Sequence, residues 1–317
     1  MRYTTLLAIA LLATTTLNAQ DDIDPKAREA AAAAAQARHT SDSLDGLWLK
    51  GGVFNINLTQ TSLSNWAAGG FSSVSGIVLF NGTLNRKKGN KAWDNSLVLA
   101  FGGQQIEDAD PVKTDDRIEL NSKYGIQTGA HWYLANVFQF KTQFTEGFDA
   151  NGVRISNLFA PAYTLFGVGF DYKPNDKFNI FLSPATARLI IVTDEGLWGG
   201  SEDPELRVYG VKNGNTTELE LGGYIRVMYT TQIAENITFM TRGDAFSNYL
   251  RNPQNIDVNW ETLWTFKVND WFAATLNTLL IYDHDTNLPK TDPEGIPYTG
   301  PATQFKETLG IGLTFKL

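Results

Sequence analysis

From Leu47 onward, hydrophobic and polar positions alternate with a period of two, in segments separated by turn-forming residues. In 117–126, Ile118, Leu120, Tyr124 and Ile126 share one face, and Arg117, Glu119, Asn121, Lys123 and Gly125 share the other. In 132–144, Trp132, Leu134, Phe138, Phe140 and Phe144 oppose Gln139, Lys141 and Gln143. In 218–229, Leu219, Leu221, Ile225, Val227 and Tyr229 oppose Glu218, Glu220 and Arg226. In 256–268, Ile256, Val258, Trp260, Trp264, Phe266 and Val268 oppose Asp257, Asn259, Glu261 and Lys267. Successive side chains of a strand point to opposite faces, so this pattern predicts β-strands with one apolar and one polar face.

A soluble sandwich turns the apolar face inward, whereas an outer-membrane barrel turns it toward lipid and lines its lumen with the polar face. Three features favour the barrel. The segments run about 10–13 residues, longer than the roughly 5–6 of sandwich strands and close to the roughly 9–11 that a tilted membrane strand needs. Short connections (86–91, 129–131, 173–177, 231–236, 269–270) alternate with long ones (59–70, 104–116, 145–159, 193–216, 246–255, 283–303), as in barrels with short periplasmic turns and long outer loops. Aromatics gather at the strand ends, where rings favour the membrane interface. Trp48, Trp93, Trp132, Tyr133, Tyr172, Phe178, Tyr229, Trp271, Phe272 and Phe315 fall near the short turns, and Phe71, Phe101, Phe144, Tyr163, Tyr282 and Phe305 near the long loops.

The expected fold is therefore all-β: a transmembrane antiparallel up-and-down β-barrel of about 12 strands. The strands are expected near 47–58, 71–85, 93–103, 117–128, 132–144, 160–172, 178–192, 217–230, 237–245, 256–268, 271–282 and 304–316. An even strand number places both termini on the periplasmic side.

Composition sharpens this picture. The chain has 317 residues with 19 Phe, 11 Tyr, 8 Trp and 28 Gly, and its 19% of charged residues falls below the roughly 25% of soluble domains. A formal net charge of −8 argues against nucleic acid as a partner. The absence of cysteine suits an oxidising compartment. Residues 1–19 read as a signal peptide: Arg2 is followed by the apolar run Leu6 to Leu12 and a small residue, Ala19. Residues 20–46 read as a periplasmic spacer, helical or disordered, with Asp24 and Pro25 positioned to start a helix over the alanines 30–35. That leaves 47–317 for the barrel.

The C-terminal alternation Leu309, Ile311, Leu313, Phe315, Leu317 is similar to the closing strand by which outer-membrane proteins are recognised for assembly. TQTSLSNWAAGG (59–70), AWDNSL (92–97), KTDDRIELNSKYG (113–125), DYKPND (171–176), FLSPATARLIIV (181–192), SNYLRNPQNIDVNWE (247–261) and QFKETLGIGLTF (304–315) resemble a Bacteroidota family of outer-membrane β-barrel proteins of unknown function. The resemblance spans 47–317 and implies a barrel in the outer membrane, with no established activity and no functional residues to carry over.

Chemistry is sparse. A phospholipase would need a nucleophilic Ser beside a His base; the histidines are His39 in the spacer, His131 in a short turn and His284 at the start of a long loop, and no GxSxG elbow exists. A protease of the omptin kind would need an Asp/His cluster at the outer rim, where 283–285 (Asp-His-Asp) is the candidate. The chain is therefore expected not to be an enzyme and to carry no cofactor. In DHDTNLPKTDPE (283–294), Asp283, Asp285, Asn287 and Glu294 occupy positions 1, 3, 5 and 12 of a calcium loop. Position 6, usually Gly, is Leu288, so at most a looser calcium site is expected.

The polar faces supply the lumen-lining candidates: Arg117, Glu119, Lys123, Lys141, Glu218, Glu220, Arg226, Arg242, Asp244, Asp257, Glu261, Lys267 and Lys306. Mixed signs fit either a narrow selective path for small polar solutes or a paired structural network, because twelve strands fall between a filled barrel of about 8 and an open one of about 16–18. The partners expected are outer-membrane lipid and envelope proteins, the latter if the barrel serves a secretion or biogenesis assembly.

Overall fold

The computed structural model describes residues 45–62, 72–107, 109–149, 152–175, 177–269, 272–284, 287–292 and 296–316. The signal peptide and nearly all of the spacer, to residue 44, lie outside them, as do Phe71, Asp285, Trp271 and Glu294.

The alternating segments form twelve long antiparallel strands joined in one ring. They are β1 (Trp48–Thr61), β2 (Ser73–Lys88), β3 (Lys91–Ile106), β4 (Val112–Gln127), β5 (Trp132–Thr142), β6 (Ala162–Asn175), β7 (Phe178–Ile191), β8 (Thr217–Ala234), β9 (Ile237–Asn248), β10 (Ile256–Lys267), β11 (Phe272–Tyr282) and β12 (Gln304–Lys316). Each pairs with its neighbour in sequence, so the ring is a simple meander. The closing ladder, between β1 and β12, is the shortest, with Val53 opposite Lys316 and Ile56 opposite Leu313. Because the strand number is even, β1 starts and β12 ends at the short-turn rim.

Several strands run further than their alternation does. β4 begins at Val112 rather than near 117, because Lys113, Asp115 and Asp116 are polar on both faces while the backbone still pairs with β3 at Gly102, Gly103 and Gln104. The connection after β2 tightens to the two residues Gly89 and Asn90, with Gly89 at φ +54°, a conformation that glycine adopts without a Cβ penalty.

Burial is inverted relative to a soluble protein. Glu119 and Glu220 are 1% exposed, whereas Phe166 is 49%, Trp260 53% and Leu219 56% exposed. In water that arrangement would leave a continuous apolar wall uncovered, far beyond the patches monomers tolerate. Inside, small apolar clusters sit among the polar groups, the largest made by Ala135, Val137, Leu165, Phe181, Tyr224 and Phe246.

The wall carries the aromatic belt outward at the short-turn rim. Trp48 and Trp93 stand 5.5 Å apart, Trp132 and Tyr172 4.7 Å, and Phe239 and Trp264 4.6 Å. Two expected belt members face the other way. Tyr133 is buried with Lys173 Nζ 5.7 Å from its ring centre, and Tyr163 packs beneath a long loop. Both sit one position off the apolar register of their strands, which sets them among the inward side chains.

Backbone packing is tightest where β6 meets β7. The register slips between Val168 and Phe170, and a Cβ built on Gly169 would lie 1.9 Å from the Leu182 carbonyl oxygen. Backbone cannot yield as a side chain tip does. Gly169→Ala is expected to destabilise the folded barrel by about 1–3 kcal/mol or more, read as a lower urea midpoint for loss of heat-modifiable gel mobility.

Candidate functional site

The interior is the part of the molecule with chemistry to offer. Of the predicted interior set, Arg117, Glu119 and Lys123 on β4, Lys141 on β5, Glu218, Glu220 and Arg226 on β8, Arg242 and Asp244 on β9, and Asp257 and Glu261 on β10 all share the inward register of their strands. Lys267 has the same register at the exposed end of β10. Lys306 lies opposite inward Leu279, its side chain outside the described residues.

These groups fall into three tiers, and the ties within them run across the lumen as well as along the wall. Near the short turns, Lys123 Nζ lies 3.0 Å from Asp171 on β6, and Lys173 lies 3.5 Å from the same carboxylate. Lys173 also reaches Asp94 on β3 at 3.8 Å, and Asn179 donates to Asp171. At mid-height, Arg226 on β8 faces the Gln139 side-chain amide on β5, and Arg242 sits 3.9 Å from both Asp244 and Glu261. Toward the long loops, Arg188 on β7 is hydrogen-bonded to Glu220 and lies 2.7 Å from Asp257 on β10. Arg188 also stacks 4.2 Å from the Phe246 ring centre. Arg251 and Asn248 approach the other oxygen of Glu220, at 3.7 and 3.2 Å.

A pair that skips one or two wall strands is a chord through the interior. Four such chords, Lys123–Asp171 across one strand and Lys173–Asp94, Arg226–Gln139 and Arg188–Asp257 across two each, mean that side chains up to a quarter-turn apart around the ring meet. Among the described residues, one cavity at mid-height, of about 10 Å³, is lined by Arg117, Glu119, Lys141, Arg242, Asp244, Asn259, Glu261 and Leu279. That volume suits roughly one water. Arg117 borders it, is 3% exposed, and has no hydrogen-bond partner for any guanidinium nitrogen.

Four members of these tiers were not legible as interior residues. Asp171 and Lys173 belong to the turn-like string DYKPND, Asp94 falls at the very start of the strand expected over 93–103, and Arg188 lies past a register slip at the β6–β7 bulge. The slip resets which parity faces inward, so a count of every second residue along β7 misses Arg188.

At the long-loop end of the barrel, the two loops between β5 and β8 pack on one another and on the strand ends. The loop from 192 to 216 forms a 3₁₀ turn, Glu195–Trp198, capped by Asp194, and a two-residue ladder closed by Tyr209 and Gly210, both at positive φ. Trp198, Val192 and Val211 pack with Ala160 and inward-facing Ile190 into a core of their own. Arg154 and Asn157, from the 143–161 loop, each reach Asp194 at 3.0 Å. Tyr209 donates to the Ile155 carbonyl at 2.6 Å, and burial pushes its pKa up to about 12.

The long loop after β11 holds a hairpin, Asn287–Thr291 against Pro297–Pro301. Of the calcium-loop candidates, Asp283 is half-buried, Asn287 starts a strand of this hairpin, and Asp285 and Glu294 lie outside the described residues. Among the described residues no three His, Asp or Glu converge on a metal-sized point. His284 Nδ1 stands 3.1 Å from the Tyr282 hydroxyl, and His131 is exposed in its turn.

A family model described as a protein of unknown function (DUF3078) matches residues 58–148. No curated protein matches the chain. Among solved structures, the chain is similar to the translocator domain of the autotransporter NalP from Neisseria meningitidis, at 13% identity, 91% of this chain, 98% of that one and a TM-score of 0.37. It is also similar to an outer membrane channel from Pseudomonas putida F1, at 11% identity, 86% and 96% coverage and a TM-score of 0.40, and to the NanC porin, at 11% identity, 84% and 100% coverage and a TM-score of 0.37. The functional reading rests on the chain's own geometry.

Proposed function

We propose that this chain is an outer-membrane β-barrel forming a narrow, normally closed path for small polar solutes, with its N- and C-termini on the periplasmic side and Bacteroidota as the phylum its strings suggest. One observation carries the reading: charged side chains are buried inside the ring while large apolar ones stand on its outer wall. Lipid is the medium in which that inversion is stable. A lumen lined with ionisable groups of both signs and bridged by chords passes solute only when some of those ties part. The reading includes no hydrolytic chemistry and no required cofactor.

Planar bilayer recording tests this directly. The wild-type barrel should give rare, small conductance steps. Neutralising the outer chord with Arg188→Gln and Asp257→Asn together should raise their frequency several-fold, because two charged groups held across the lumen become two neutral ones. A silent bilayer for both proteins, with folding intact, would overturn the pathway.

The chords also support a second reading, in which the network only braces the barrel and the protein is a non-enzymatic subunit of a secretion or biogenesis assembly. That reading predicts silence in bilayers and a stable larger complex after gentle detergent extraction.

A further inference from the structure

We propose that the outer wall of β1–β3, at the short-turn rim, is a binding site for the headgroup of an anionic phospholipid. The proposal rests on the membrane reading above and adds a specific ligand. Lys50 pairs with outward Leu84, and Arg86 lies between Trp48 and Trp93 in the strand register, so all share the lipid-facing side. Lys88 and Lys91 face each other across the Gly89–Asn90 turn in the same register. Four cations thus stand on one strip of wall, and Lys50, Lys88 and Lys91 are exposed.

The strip is built rather than loose. The Arg86 guanidinium lies 5.6 Å over the Trp48 ring, and its Nε donates to the Gly46 carbonyl at 3.0 Å. Trp93 donates to Ser122 Oγ at 2.9 Å and meets Tyr124 edge-on at 6.4 Å. Asp45, the acid beside them, accepts from Gly89 N at 2.8 Å, and the strip keeps an excess of positive charge. Rings of this kind settle at headgroup depth, which holds the four cations level with lipid phosphates.

The rest of the rim is different. Its outward strand-end positions include Ile126, Trp132, Tyr172, Tyr229, Phe266 and Phe272, and no other described outward strand position at this rim carries Lys or Arg. On a chain of net charge −8, this is a local concentration of positive charge against the overall sign. A cation at an anionic membrane surface contributes about a fivefold change in binding.

The test is native mass spectrometry of the detergent-purified full chain with equal amounts of phosphatidylglycerol and phosphatidylcholine of matched acyl chains. The wild type should retain phosphatidylglycerol by more than about tenfold over phosphatidylcholine. The variant K50Q/R86Q/K88Q/K91Q should lose that preference, the turn pair K88Q/K91Q should lose part of it, and Lys177→Gln, in another short turn, should keep it. Equal retention of the two lipids by the wild type, a preference unchanged in the fourfold variant, or displacement of the lipid by low-millimolar inorganic phosphate would each overturn the site. Flotation with vesicles separates this outcome from the wider reading. A barrel that floats without lipid preference loses only this site, and one that stays in the aqueous phase loses the membrane reading too.

Discussion

Phe166→Arg is expected to prevent the barrel from assembling in a bilayer. Phe166 lies on the outward face of β6, between Ala162 at the long-loop end and Tyr172 in the aromatic belt, and its strand neighbours in the row are Phe138 and Ala187. An arginine near the midplane of a barrel wall costs about 2–4 kcal/mol, and the lost contact between the ring and the acyl chains adds roughly 1.5–3 kcal/mol. Together these rival the whole stability of a typical domain. The sign of the effect separates two physical accounts. If water bathed this wall, a half-exposed Phe replaced by Arg would be neutral or would improve solubility. Folding into lipid vesicles, followed by heat-modifiable mobility on a gel, reads the difference. Phe166→Leu should fold as the wild type does, while Phe166→Arg should remain unfolded or excluded from the vesicles.

That contrast was open to sequence reasoning because a strand has only two faces and each face here meets a single medium. Leu219, Leu221 and Ile225 against Glu218, Glu220 and Arg226 leave little choice once strand length has pointed to a membrane. The ends of strands were harder. At Lys113, Asp115 and Asp116 polar side chains occupy both faces, so alternation stops while the ladder continues. Asp116 explains why the backbone stays ordered there: it accepts from the backbone N–H groups of Phe144 and Thr145 and pairs with Lys113 at 2.9 Å. None of those ties follows a period.

Which polar residues meet one another was not legible either. The inward face of a closed ring brings together strands far apart in sequence, and chords such as Lys173–Asp94 depend on strand stagger rather than on any local pattern. Tyr133 and Tyr163 show the converse failure. Each is an aromatic near a strand end, where composition suggests the belt, yet parity turns both inward. The loop core around Trp198 was invisible because its apolar members are scattered through 160–211 at no regular spacing.

Arg188→Met and Arg117→Met are expected to differ sharply, although both remove one buried guanidinium from the interior. Arg188 holds Glu220 and Asp257 together. With it gone, two carboxylates with side chains 2% and 15% exposed face each other without their common cation. Breaking such a set from one side costs about 3–5 kcal/mol, and Arg251 at 3.7 Å from Glu220 is too distant to replace the short contact. Arg117 has no such obligation. Its guanidinium nitrogens make no hydrogen bond, so methionine of similar length removes a poorly compensated charge and keeps the packing, which should leave stability unchanged or slightly raised. Urea unfolding of the two variants in the same detergent measures the difference. A large loss for Arg117→Met would mean that its charge is balanced by groups across the cavity, and a negligible loss for Arg188→Met would mean that the Arg188 chord is ornamental. The predicted outcome makes the Arg188 chord the tie that holds the long-loop half of the lumen shut, so the variant that destabilises most should also be the one that conducts most readily.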